Sequence, residues 1–320
     1  MWGKAALEDA SGAFRFVDVE YEDPGEGEVL VRVAGCGVCH TDAAMRGGGY
    51  LLGHETSGTA AAVGAGVERV RPGDGVLLAY TYCGHCPACR ARRTWECEHF
   101  SEFFGGVRED GSTPVSRHGE PVYPLLRQGG FGPWVVAHEN AVTVVDADPG
   151  TDLSLLGPLG CGFMTGAGSV LNHLKPDPGR PLGVFGAGSV GLAAVMAAKL
   201  AGAGPILAVD RIPARLALAR ELGATHTVNT DETGDIARAV RAACGGLDYA
   251  FDTSGDARVL EGMRAGLNPG ARACGVGMGG SMRVGDRERD AGITWEHTDT
   301  GWSLPQAFLP RLLAEQIGRA

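Results

Sequence analysis

Positive charge is in short supply: 28 Lys and Arg stand against 38 Asp and Glu, a formal net charge of −10. A surface of that sign repels polyanions, which argues against nucleic acid or an anionic membrane as partner. Long apolar runs are missing too. None approaches the roughly 20 residues needed to span a bilayer. Met1-Trp-Gly-Lys leads directly into a strand-like stretch with no signal-peptide core, so the expected compartment is the cytoplasm. There is no internal repeat. The 52 glycines and 17 prolines fall short of a low-complexity composition and read as many turns.

What remains is a chain of 320 residues, long enough for two domains with separate cores. Its organising stretch is Leu182 to Asp210. A short apolar run closes on Gly186-Ala-Gly188-Ser189-Val190-Gly191, an Ala-rich helical segment spans Leu192–Leu200, and a second apolar run ends at Asp210. Gly186 permits a tight turn, Gly188 admits a pyrophosphate and Gly191 lets helix and strand pack closely. The helix N-terminus offers free N–H groups to the phosphates. Asp210 lies where a carboxylate can accept from an adenosine ribose, and it would repel a 2′-phosphate, so NAD(H) is expected over NADP(H). Arg211 weakens that preference. A glycine-rich turn without a ligand is the alternative, and the strand context and the acid stand against it.

From residue 182 the chain alternates strands, expected near 183–186, 206–209, 226–229, 248–252, 271–276 and 292–296, with helices between most of them. Six such strands complete an α/β doubly wound parallel sheet. A final helix is expected over Leu304–Ile317. Residues 1 to about 150 are instead rich in valine, glycine and turns, with strands expected at Val29–Ala34, Thr56–Val63, Gly75–Ala79, Trp134–Ala137 and Val142–Val145.

Nine cysteines could indicate disulfides, but their clustering suits metal thiolates in a reducing compartment better. Cys83, Cys86 and Cys89 follow a Cys-x-x-Cys-x-x-Cys spacing, with Cys97 beyond them. Four thiols on one short loop meet the closed tetrahedral coordination of a structural zinc. Four reduced thiols that bind nothing, or an iron–sulfur cluster, are the alternatives, and the spacing matches neither common ferredoxin pattern. His85 and His99 are expected to be bystanders, and Cys36, Cys244 and Cys274 to be packing residues.

Taken in order, Cys39-His40-Thr41-Asp42, Gly53-His54-Glu55, the four-cysteine loop, Gly160-Cys161-Gly162 and the Gly186–Gly191 fingerprint resemble the zinc-dependent medium-chain alcohol dehydrogenases. Cys97-Glu-His-Phe, Phe103-Phe-Gly-Gly and Leu156-Gly-Pro-Leu-Gly-Cys-Gly look most like the aryl-alcohol (benzyl alcohol) branch. The resemblance implies a GroES-like zinc-binding catalytic domain over residues 1–156 and an NAD-binding Rossmann domain over 157–320. It assigns Cys39, His54 and Cys161 as ligands of a catalytic zinc, with Asp42 and Glu55 as outer carboxylates that orient them. Thr41 would take the hydroxyl proton, His40 would lie near the pyrophosphate, and Thr165 and Val190 would flank the nicotinamide. The implied activity is hydride transfer between NAD(H) and an aromatic or hydrophobic alcohol or aldehyde, by a homodimer or homotetramer. A pathway-specific carbonyl reductase and a catalytically silent dinucleotide-binding scaffold are the alternatives.

Three features depart from that family. Only fourteen residues separate Cys39 from His54, and the run Met45 to Leu52 implies a wider or more mobile entrance. Ala44 stands where relatives carry a histidine. Relatives also continue past the last helix with a segment that completes the catalytic domain, whereas here Gly318-Arg-Ala320 follows, so apolar surface is expected to be exposed or covered by another chain.

Overall fold

The computed structural model describes all residues except 147–149, 277–284, 286–288, 290 and 316–320. The chain divides into two compact units: Met1–Cys161 with Leu304–Glu315, and Gly162–Ser303.

The first unit holds two five-stranded sheets. One contains strands β1 (Trp2–Glu8), β2 (Phe14–Tyr21), β4 (Tyr50–Leu51), β7 (Val115–Arg117) and β8 (Glu120–Pro124), in the order β1-β2-β7-β8-β4. The other contains β3 (Glu28–Gly37), β5 (Glu55–Val63), β6 (Gly75–Leu78), β9 (Trp134–His138) and β10 (Val142–Val144), in the order β10-β6-β5-β3-β9. Every neighbouring pair in the second sheet is antiparallel. Alternate residues Val29 and Val31, Val76 and Leu78, and Val135 and Ala137 point into one core, as the two-residue strand period requires.

All five strands expected in this region are present. The first sheet was mostly not foreseen, and β2 shows why. Val19 and Tyr21 are buried, but Phe14 and Phe16 lie on the opposite, exposed face beside Asp18 and Glu20. Apolar residues on both faces blur the alternation that marks a half-buried strand.

Short helices α1 (His40–Ala44), α2 (Pro87–Arg90) and α3 (Phe100–Phe104) decorate this unit. The run Met45 to Leu52, expected as a wider or more mobile entrance, is tied by hydrogen bonds at its start. Arg46 donates to Glu8 Oε1 at 3.1 Å and to the Gly12 carbonyl at 2.6 Å, and Gly47 N–H donates to Glu8 Oε2 at 2.7 Å. The short connection is pinned to the β1–β2 hairpin.

The second unit is built on a six-stranded, all-parallel sheet of β11 (Leu182–Phe185), β12 (Ile206–Asp210), β13 (His226–Asn229), β14 (Leu247–Asp252), β15 (Leu267–Gly275) and β16 (Thr294–His297). Its order, β13-β12-β11-β14-β15-β16, is that of a doubly wound dinucleotide-binding sheet. The central strands β11 and β12 are buried along their whole length, because helices cover both faces of such a sheet. Helix α4 (Gly162–Gly168) leads into a π-helical turn over Ser169–Leu174, and α5 (Ser189–Leu200), α6 (Pro213–Leu222), α7 (Ile236–Cys244) and α8 (Ala257–Gly266) connect the strands.

The C-terminal expectation is corrected. Helix α9 (Pro305–Ala314) belongs to the first unit, where it packs on β10 and the Gly157–Gly160 turn, rather than closing the nucleotide-binding one. Phe308, Leu309, Leu312 and Leu313 recur at helical spacing and are all buried. The Tyr82 hydroxyl donates to Gln306 Oε1 at 2.9 Å, and the Gln306 amide donates to the Asn140 carbonyl. The break between units accordingly falls between Cys161 and Gly162 rather than after residue 156, and Gln316 and Ile317 of the expected helix lie outside the described residues. Among the described residues no helix is long and apolar enough to cross a membrane.

Candidate functional site

The first unit brings Cys39, His54, Glu55 and Cys161 together from three distant parts of the chain, with one donor atom of each within 4.8 Å of the others. Cys39 immediately precedes α1, and His54 immediately precedes β5. Cys161 arrives from 122 residues away, at the end of the Gly157–Gly160 turn. That approach needs glycine: a Cβ on Gly160 would meet the Leu78 carbonyl at 1.8 Å, and one on Gly157 the Glu55 carbonyl at 2.0 Å. Any larger residue would lift Cys161 away from its partners.

The Cys39 and Cys161 sulfurs are 4.0 Å apart, and Cys161 Sγ is 3.4 Å from His54 Nε2. Two thiolates on one tetrahedral ion with Zn–S bonds near 2.3 Å stand about 3.8 Å apart, and a thiolate and an imidazole about 3.6 Å. The observed spacings are therefore those of ligands to a single small ion. Behind them, the buried Asp42 holds His54 Nδ1 at 3.0 Å and accepts from the backbone of Gly53 at 2.9 Å and of Cys39 at 3.0 Å. This fixes the imidazole with Nε2 turned to the sulfurs, the outer-carboxylate arrangement common to metal-bound histidine. Glu55, expected as a second outer carboxylate, has an oxygen within 4.8 Å of these donor atoms.

The electrostatics follow from the same contacts. The hydrogen bond from Cys161, with His54 beside it, overcomes burial and brings the Cys39 thiol down to about 4. That bond, together with burial, pushes Cys161 well up. Burial opposes protonation of His54, but Asp42 and Cys39 outweigh it and raise the imidazole to about 10, while Asp42 is lowered despite its own burial. The protein groups alone thus form a thiolate–imidazolium pair, a poised donor set from which a divalent cation displaces the protons.

The four thiols of Cys83, Cys86, Cys89 and Cys97 also gather within 4.8 Å, with Cys83 and Cys89 sulfurs 3.9 Å apart. Backbone N–H groups point at sulfur: Cys83 to Cys97 at 3.3 Å, Cys86 to Cys83 at 3.3 Å and Cys89 to Cys86 at 3.5 Å. Such donors favour the ionised form. Burial resists ionisation of Cys86, but the N–H groups bring it to about 6, while burial holds Cys89 and Cys97 up. One thiolate among like neighbours raises the rest, the behaviour of a set that ionises fully only around a cation.

In the second unit the fingerprint residues occupy the β11–α5 turn. A Cβ on Gly191 would strike the Gly186 carbonyl at 1.8 Å, so the helix can lie against the strand only with glycine there, whereas a Cβ on Gly188 would meet nothing within 4 Å. The N-terminus of the 12-residue α5 carries no side-chain cap, leaving its N–H groups to face that open space. Ser189 is exposed at the first turn. Asp210, almost buried at the end of β12, accepts from Ala187 N–H at 2.7 Å and Ile212 N–H at 2.8 Å, with Arg215 at 3.8 Å. Four lone-pair positions on a carboxylate leave acceptors for a ligand. Arg211 is exposed beside it. Thr165 and Val190 sit on α4 and α5, helices that meet closely where a Cβ on Gly166 would strike the Val190 carbonyl at 1.9 Å.

His40 is exposed and Thr41 half-buried in the first turn of α1, and Ala44 is exposed at its last residue. Two groups not expected to act, His85 and His99, lie with Cys83 in a third cluster within 4.8 Å. Their positions within and just after the cysteine motif were the available signal, whereas their neighbour Glu109, 24 residues from His85, carried none.

A β-rich unit in which Cys39, His54 and Cys161 gather in one group and four cysteines in another, in a chain that also holds a doubly wound sheet with a dinucleotide fingerprint, defines a zinc-binding dehydrogenase. The pattern of the alcohol dehydrogenase GroES-like domain matches residues 25–147, and that of the zinc-binding dehydrogenase matches residues 189–291. A geraniol dehydrogenase of Castellaniella defragrans is 39% identical over 97% of this chain and 86% of its own length. Among solved structures, an alcohol dehydrogenase zinc-binding domain protein from Burkholderia ambifaria (38% identity, TM-score 0.93) covers 99% of this chain and 89% of its own. The benzyl alcohol dehydrogenase of Acinetobacter calcoaceticus (32% identity, TM-score 0.91) covers 99% and 90%. The chain belongs to the zinc-dependent medium-chain alcohol dehydrogenase family. That family's requirements are zinc and a nicotinamide dinucleotide.

Proposed function

We propose that this chain interconverts a hydrophobic or aromatic primary alcohol and its aldehyde, with NAD(H) as the hydride carrier and Cys39, His54 and Cys161 holding the zinc that takes part. The observation that carries the reading is the convergence of those three donors, at spacings set for one tetrahedral ion, on a histidine clamped by Asp42. Zinc bound there supplies Lewis-acid polarisation of the carbinol or carbonyl oxygen, and the nicotinamide accepts or delivers the hydride.

The protein's own groups do the rest. Asp42 accepts from Nδ1 of the neutral imidazole and so fixes the ring with Nε2 toward the ion, which keeps the ligand set in one geometry through the reaction. Glu55 offers an additional oxygen donor in the same group. Thr41 is the hydroxyl placed to receive the alcohol proton and begin its transfer to water. Because Ala44 can neither accept nor donate that proton, water replaces the histidine that relatives carry there. In the second unit, the α5 N-terminus and Gly188 receive the pyrophosphate, Asp210 the adenosine ribose, and Thr165 and Val190 the nicotinamide. Cys83, Cys86, Cys89 and Cys97 hold a second, structural zinc. The substrate class rests on the geraniol and benzyl alcohol dehydrogenases among the relatives, and a cytoplasmic homodimer or homotetramer completes the reading.

Steady-state oxidation with NAD+ tests it. Geraniol and benzyl alcohol should be turned over with a higher kcat/KM than ethanol. Zinc-loaded, folded protein that oxidises none of the three, or that prefers ethanol, contradicts the assignment.

A further inference from the structure

Cys83 is only partly buried, whereas Cys86, Cys89 and Cys97 are buried. On its outward side stand His85 and His99, with one donor atom of each histidine and the Cys83 sulfur within 4.8 Å of one another. The two imidazole rings lie 5.5 Å apart, and His99 also stacks on Phe103 at 6.2 Å. Glu109 holds His85 Nε2 at 3.1 Å. A carboxylate accepting at one ring nitrogen selects the tautomer whose other nitrogen is free to bind a metal, and it raises the basicity of that nitrogen. The arrangement is an exposed counterpart of the buried Asp42–His54 pair, with the carboxylate on Nε2 in place of Nδ1.

The surroundings favour a cation. A cavity of about 720 Å³ in the first unit reaches Cys83 and His85 and is lined by Asp23, Glu26, Glu109 and Asp110. Glu22 and Glu28 also line it, but they are engaged by Arg108 and Arg127. Carboxylates in a concave site concentrate divalent ions ahead of any specific ligand.

We propose that Cys83, His85 and His99 form an outer divalent-cation site that shares the Cys83 thiolate with the four-cysteine site and exchanges zinc with it. A thiolate has lone pairs enough to bridge two ions, so an ion held by the histidine pair can move inward as the inner one leaves: Cys83 stays bound to the incoming ion, His85 and His99 release it, and Cys86, Cys89 and Cys97 pass from the departing ion to it. The exchange rests on the reading of the four cysteines as a zinc site. The outer site itself does not.

The test uses the folded, zinc-replete full chain and zinc ions as the probe. Equilibrium dialysis should show one further, weaker zinc ion per chain beyond those held tightly. His85→Ala/His99→Ala should abolish that uptake, and Glu109→Gln should weaken it about tenfold. Exchange of an isotopically labelled zinc into the tight fraction should slow about tenfold in the double variant, on the scale that metal-site partners usually contribute. Wild type that takes up no further zinc, or a double variant that takes up as much, overturns the outer site. Lost uptake with unchanged exchange overturns the handover. Cys97→Ser separates the two readings, because Cys97 belongs only to the inner group. If that variant keeps all its tight zinc, the structural-zinc reading has failed, and the dialysis result still decides the outer site.

Discussion

Asp42 divides its carboxylate among His54, Gly53 and Cys39, so one buried residue sets the imidazole's direction and the entry into α1 together. Asp210 plays the corresponding part in the other unit, tying the fingerprint backbone at Ala187 while keeping lone pairs for a ribose. Replacing Asp210 by Ser removes the repulsion of a 2′-phosphate and the strongest ribose acceptor. The ratio of kcat/KM for NAD+ to that for NADP+ should fall by about tenfold or more, the scale of one charge-assisted hydrogen bond. An unchanged ratio, or a wild type that already prefers NADP+, would assign control to Arg211. Asp42 was legible in the sequence because it sits inside a short motif, and Asp210 because it ends the apolar run that follows the fingerprint helix. Glu55 was legible as a carboxylate near the candidate ligands, because it directly follows His54 in the Gly53-His54-Glu55 motif.

At the scale of elements, β3 carries a charge network that no motif announced. Glu28 is almost fully buried and is held by Arg127 at 2.7 Å and by two bonds from Arg108 at 2.8 Å, which span 99 and 80 residues of chain. Burial raises its carboxyl, but the Arg108 hydrogen bonds and a Gly25 N–H win and leave it below its ordinary value of 4.5. Burial lowers Arg127 as well. A guanidinium stays charged in proteins, so the acid is the partner that titrates. A depressed carboxyl stabilises the fold fully above its unfolded pKa, and that contribution fades as pH falls through the folded value. The urea midpoint of wild type should therefore drop below pH 4.5 more steeply than that of Glu28→Gln. Glu28→Ala should cost about 3–5 kcal/mol at neutral pH, because it leaves two arginines beside a buried gap. Equal acid sensitivity in wild type and Glu28→Gln would remove Glu28 from the account.

Helix α9 was legible as a helix from its apolar spacing but not as part of the first unit, because an amphipathic pattern names a buried face without naming what buries it. Leu309, fully buried at the centre of that face, should cost about 2–5 kcal/mol when cut to Ala. Chemical denaturation followed by a probe in the first unit would show a loss under 1 kcal/mol if α9 were peripheral. The short loop after Met45 teaches the complementary lesson. Its glycines predicted freedom, and Glu8, nearly forty residues earlier, pins it.

For the molecule as a whole, the doubly wound sheet was almost entirely readable, because its central strands β11, β12 and β14 are buried on both faces and write themselves as apolar runs, with the edge strands β13 and β16 following from the alternation with helices. The sheet of β1, β2, β7, β8 and β4 was not, since β1 and β2 expose apolar residues outward and β4 and β7 are only two and three residues long. The candidate metal ligands were readable as motifs, and bringing them together required the fold. The measurement that tests that union most directly is zinc content together with NAD+-dependent oxidation of benzyl alcohol in wild type and Cys161→Ser. Wild type should hold two zinc ions per chain. Cys161→Ser should lose one of them and nearly all turnover, while keeping the other and a thermal midpoint close to wild type. Cys161→Ser that retains both zinc ions and full turnover would contradict the assignment of Cys39, His54 and Cys161 to one reactive zinc.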